Sequence, residues 1–147
     1  MCVIVLMTHM ERIMPTSTRF AVATHILTAL AFSDGKPLRS EDIANSANTG
    51  AVVIRGLLSR LAEAGLTRSQ LGSGGGALLA KKPDEIRLLD VYRAVEDTEL
   101  FAVHRQPPCA ECPVGANILG AIKPALTRAQ TAMEAELGKT TIGEIVE

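Results

Sequence analysis

The 147-residue chain has no tryptophan, one tyrosine and three phenylalanines. So little aromatic surface argues against a platform that stacks unpaired bases, and any nucleic acid it meets is expected to be a duplex. Cysteine is scarce too. Cys2, Cys109 and Cys112 are too few and too unevenly spaced for the disulfide framework of a secreted domain. No stretch reaches the roughly 18 apolar residues of a membrane span. The apolar opening Met1–Met7 lacks the basic flank and the length of a signal peptide. The expected setting is the cytoplasm, away from any membrane. The motifs of catalysis are missing as well: there is no nucleophile paired with a base, no metalloprotease signature and no phosphate loop. An enzyme is not expected.

What is present is apolar content of 47%, sufficient for a packed core in one compact domain with an appended element. Residues 1–15 read as a loose extension, with Met7, Met10 and Met14 as alternative starts; His9 lies in it and has no assigned role. The net charge of −1 conceals an asymmetry. Residues 36–82 hold seven basic side chains (Lys36, Arg39, Arg55, Arg60, Arg68, Lys81, Lys82) against three acidic ones (Glu41, Asp42, Glu63), a net of +4. Residues 83–147 hold six basic against eleven acidic, a net of −5. A polyanion would meet the middle of the chain and be repelled by its end. On charge alone, an ordinary mixed-sign surface is the better explanation.

Periodicity decides between the two. Phe20, Ala23, Leu27 and Leu30 recur at helical spacing between Ser17 and Phe32, and Asp34-Gly35-Lys36-Pro37 ends that helix. Ser40 is an expected N-cap, with Glu41 and Asp42 in the first turn of a short helix carrying Ile43, Ala44 and Ala47. Asn48-Thr49-Gly50 turns into a third helix over about 51–64, with Val53, Leu57, Leu61 and Ala64 on its expected inner face and Gly65 closing it. Two short helices joined by such a turn form a helix-turn-helix, whose second helix enters the major groove. Leu66–Leu71 and Ala77–Ala80 flank Gly72-Ser73-Gly74-Gly75-Gly76 as a β-hairpin, placed where a wing belongs. A short helix is expected over Ile86–Val95. From Val114 to Leu137, Ile118, Ile122, Ala125, Ala129 and Met133 trace a narrow stripe suited to helix pairing between two subunits. Pro124 predicts a bend or break in it, and Thr140–Val146 a last short helix. The fold class is mainly α with a small β-hairpin: a winged helix-turn-helix over 16–97, a loop over 98–113, and a dimerisation helix with the terminal helix over 114–147.

Val53-Ile54-Arg55-Gly56-Leu57-Leu58, Leu61-Ala62-Glu63-Ala64-Gly65-Leu66, Gly72–Ala80 and Cys112-Pro113-Val114-Gly115-Ala116-Asn117-Ile118 resemble, in order and spacing, the IscR/NsrR/CymR group of winged-helix regulators (Rrf-type). The match runs from about Thr18 to the C-terminus. The resemblance implies a homodimeric transcription regulator of near-palindromic operators, often responsive to redox state, iron, nitric oxide or a metabolite. Cluster-binding members carry three cysteines just before the long helix. Cys112 matches the last and the other two are missing at that spacing, so no iron–sulfur cluster, and no other cofactor, is predicted.

The candidate DNA-binding residues are Ser40, Asn48, Thr49, Arg55, Ser59, Gly74, Gly75, Lys81 and Lys82. Arg55 suits the two acceptors of guanine or a phosphate, or merely solvates a helix face. The glycines let backbone amides approach a phosphate; a nucleotide loop is disfavoured because neither Lys-Ser/Thr nor a helix follows. Lys81 and Lys82 read equally as phosphate contacts or as solvated charges. Cys109-Ala110-Glu111-Cys112 has three readings: a reversible disulfide acting as a redox switch, two inert thiols, or half a metal site with His104 as the nearest further donor. His25 reads as a packing residue. The function expected is a sequence-specific duplex-DNA-binding repressor; the alternative is a winged-helix module for protein contact without DNA binding.

Overall fold

The computed structural model describes residues 17–96 and 99–147. The expected extension at 1–15, with Cys2 and His9, lies outside them. Among the described residues, six helices and one hairpin follow in order: α1 (Arg19–Phe32), α2 (Ser40–Ala47), α3 (Ala51–Glu63), β1 (Thr67–Gln70), β2 (Gly76–Leu79), a 3-10 turn (Pro83–Glu85), α4 (Leu88–Val95), α5 (Pro113–Leu137) and α6 (Ile142–Val146).

One core organises the chain. Ala23, Ile26, Leu27 and Leu30 of α1 pack with Ile43 of α2, with Ile54, Leu57 and Leu61 of α3, and with Val91 and Val95 of α4. On α3, Leu57 and Leu61 are buried as expected, but Ile54, fully buried, takes the inward place expected of Val53, which is 48% exposed, and Ala64 is exposed. The sequence Val52-Val53-Ile54 offers three β-branched or branched apolar residues in a row, and periodicity does not say which belongs inside. Glu96, just past α4, closes the amino end of α1: its Oε1 accepts from the Phe20 amide at 3.1 Å and its Oε2 pairs with Arg19 at 3.1 Å. Arg60 is likewise structural, donating from Nη1 to the Val95 carbonyl at 3.1 Å.

The hairpin pairs Thr67 with Leu79, Arg68 with Leu78, Ser69 with Ala77 and Gln70 with Gly76. Leu38, ahead of α2, adds a third strand's worth of pairing through two hydrogen bonds with Ala77, at 3.1 and 2.8 Å. Gly76 allows that approach, because a Cβ there would collide with the Leu38 carbonyl. The wing is therefore fastened to the entrance of the helix-turn-helix.

The terminal helix α6 lies against α1 and the 3-10 turn. Ile142 is fully buried in the core, and its amide donates to the Ile86 carbonyl at 2.8 Å. Thr141 caps α6 through the Glu144 amide, with the Glu144 carboxylate returning to the Thr141 amide. Between α4 and α6, α5 continues for 25 residues through Pro124 without a break, and none of its residues is fully buried. Gly120 and Pro124 are both exposed, so water can satisfy the carbonyl that the proline leaves without an amide partner.

Candidate nucleic-acid interface

The geometry of α3 follows from its two ends. Asn48 takes a left-handed conformation (φ 51°, ψ 51°) and terminates α2, while extended Gly50 opens α3. Asn48 is exposed at the entrance, and Thr49 is half-buried in the turn, not on the outer side of α3 as expected. Ser40 is not the N-cap. Arg39 holds that position with extended backbone, and Ser40 is the first helical residue. This frees the Ser40 side chain to line a cleft.

That cleft, about 230 Å³, lies between α3 and the hairpin and is bordered by Ser40, Arg55, Ser59, Thr67, Arg68 and Ser69. Three of the sequence candidates (Ser40, Arg55, Ser59) thus come together. Arg68 and Ser69 join them and were missed; the signal was the unbroken polar run Arg68-Ser69-Gln70, all exposed after buried Thr67. Arg68 also borders a second cleft with Lys81, on the other side of the wing base. Lys82 is exposed beyond it, its amide held by Glu85 at 3.1 Å.

Arg55 is not idle in the free chain: its Nη2 is paired with Oε1 of Glu41 on α2. The Glu41 carboxyl is held below the usual carboxylate range, chiefly by its own backbone N–H in the first turn of α2 and then by Arg55. Beside Arg55, Val52 is 78% exposed near the start of α3, an apolar patch of the kind that meets a thymine methyl. At the wing tip, Leu71 is 91% exposed and Gly72 and Gly74 have positive φ (93° and 76°). Gly74 is open, whereas the Gly75 amide donates to the Gly72 carbonyl at 3.1 Å, so of the two candidate glycines only Gly74 leaves the turn's own bonding free of its amide.

The cysteine loop packs on the start of α5. Cys112 is the N-cap of that 25-residue helix and Pro113 its first residue, a position where a proline costs no hydrogen bond. Cys109 lies over Gly115, where a Cβ would strike the Cys109 carbonyl. Both thiols are free and exposed. The Gly115 and Val114 amides pull the Cys112 thiol below its ordinary value, as expected for a thiolate at a helix amino end. Among the described residues no three His, Cys, Asp or Glu side chains gather as metal donors, so Cys109, Cys112 and His104 form no cage. His25 bonds through Nε2 to Ser46 Oγ at 2.8 Å, bridging α1 and α2. No described helix is long and apolar enough to cross a membrane.

Comparison with known proteins gives a consistent result. Residues 16–147 match the Rrf2 family, described as "Iron-dependent Transcriptional regulator". The iron of that description finds no matching donor set among the described residues of this chain. The chain is 41% identical over 131 residues to YwnA of Bacillus subtilis (strain 168), whose name places it among HTH-type transcriptional regulators; the match covers 88% of this chain and 96% of YwnA. Among solved structures, CymR, the global cysteine regulator of B. subtilis, is 25% identical with a TM-score of 0.66, covering 91% of this chain and 97% of that one. The oxidized form of Staphylococcus aureus CymR is 26% identical with a TM-score of 0.68 and covers 91% and 97%.

Proposed function

The chain belongs to the Rrf2 family of transcriptional regulators, and on that premise we propose that it is a cytoplasmic homodimeric repressor reading a two-half-site operator through α3 and the wing. The observation that carries this reading is the cleft between α3 and the hairpin, where Arg55 and Arg68 stand among hydroxyls on the basic segment of the chain. Arg55 and Val52 supply base readout, the first to guanine and the second to a thymine methyl. Arg68, Ser40, Ser59, Lys81 and Lys82 supply phosphate contacts that fix register. The second protomer is recruited through α5, none of whose 25 residues is fully buried within one chain.

Redox response is the finer part of this reading. The Cys112 thiolate attacks a low-molecular-weight disulfide and releases one thiol; the Cys109 thiol then attacks the mixed disulfide, releasing the second thiol and closing an intramolecular bond. Both residues border the start of α5, so the bond would bear on the helix that sets the spacing of the two recognition helices.

The test is a fluorescence-anisotropy titration onto duplex DNA from the gene's own upstream region, beside a scrambled duplex, at several salt concentrations. Preferential binding that weakens steeply with salt is expected. Equal, weak binding to both would remove the autoregulatory operator, and no binding to any duplex at low salt would leave a protein-contact module instead.

A further inference from the structure

Of the three acidic side chains in residues 36–82, one is bonded to the arginine placed to meet DNA. Glu41 stands in the first turn of α2 and Arg55 on the outward side of α3, fourteen residues further on. Both side chains are more than half exposed (59% and 55%), so the pair sits on the surface that α3 would present to a groove, beside Ser40, Ser59 and Arg68. A guanidinium has five N–H donors in a rigid planar fork. Glu41 takes one bond, from Nη2, and the fork has further N–H donors for the two acceptors that a guanine offers in the major groove.

This rests on the DNA-binding reading and goes beyond it. We propose that Glu41 is a positioning residue for base recognition: it keeps its bond to Arg55 in the operator complex, holds the fork toward the base edge, and keeps it off the backbone phosphates. A long arginine otherwise samples many rotamers, and fixing one before contact reduces the entropy lost on binding. The carboxylate also repels every phosphate near it, whatever the sequence. Glu41 therefore favours the operator and disfavours other duplexes, which a simple competitor for Arg55 would not do. A competitor weakens both.

The experiment compares wild type, Glu41→Gln, Arg55→Ala and the double variant on operator and scrambled duplexes, with circular dichroism to confirm the fold. Glu41→Gln is expected to lower operator affinity about 2- to 5-fold, the range of an exposed ion pair, while scrambled-duplex affinity holds or rises. In the Arg55→Ala background the operator loss should vanish. A rise on both duplexes would identify a competitor and overturn the proposal, as would an operator loss that persists without Arg55. If wild type prefers its operator and Glu41→Gln matches it on both duplexes, the positioning role alone fails; if wild type binds no duplex, the DNA-binding reading falls with it.

Discussion

The winged helix and the long helix are assembled on different terms. In the first, α1, α2, α3, α4 and α6 each contribute side chains to one core, and Ile26, Leu27, Ile54, Leu61, Val91 and Ile142 are all fully buried. In the second, α5 is the longest element among the described residues and has no fully buried residue. Ile118, Ile122 and Met133 are half-buried, and Ala125 and Ala129 are exposed. Two polar links tie it to the rest: Arg93 pairs with Glu134 at 2.9 Å, and the Leu100 amide donates to Gln130 at 3.3 Å. A core of that kind specifies a unit that folds within one chain, whereas a 25-residue helix without a fully buried residue draws little stability from its own chain. The difference assigns stability to one region and leaves the other available for assembly.

The largest effect should come from breaking the first region. Ile142→Ala opens a cavity under α1 and removes the anchor of α6, and is expected to lower unfolding stability by about 2–5 kcal/mol, read from urea denaturation. A change below about 1 kcal/mol would mean that α6 is an ornament to the core instead of a part of it. Next, Arg55→Ala should leave the denaturation midpoint unchanged and cut operator affinity by about 1–3 kcal/mol. Native circular dichroism with unaltered affinity would remove Arg55 from the reading surface. The smallest effect concerns the junction of the two regions. Because the Gly115 and Val114 amides lower the Cys112 thiol, its thiolate fraction at pH 7–8 should exceed that of free cysteine. Iodoacetamide should therefore modify Cys112 faster than free cysteine at pH 7, and the advantage should fade as pH rises. Equal rates at pH 7, read by mass spectrometry, would contradict the assignment.

How much of this was legible in the sequence follows from the range of the interactions. The helix spacings, the Asp34-Gly35 turn and the glycine-rich hairpin are local, and residues 17–95 fold into the expected elements within a few residues. Details that depend on a neighbour were not legible. The inward side of α3 is chosen by how Ile54 fits against α1, not by periodicity. Arg39 took the N-cap position because the Leu38–Ala77 pairing fixes an extended backbone just before α2. Glu41 read as a helix-dipole residue, and its bond to Arg55 exists only because α2 and α3 cross. The burial of Ile142 beside Ile86 joins segments over fifty residues apart, which no local pattern announces. Pro124 carried a sound local warning that the exposed side of α5 made harmless.

The most direct test of the contrast is the mass of the chain in solution. Sedimentation equilibrium should give twice the 15.6 kDa chain mass for wild type. The double variant Ala125→Glu/Ala129→Glu, which alters only exposed positions of α5, should give the single-chain mass with the helical signal intact. A wild-type monomer at tens of micromolar, or a double variant that still pairs, would contradict the account that α5 is the region completed by a second copy.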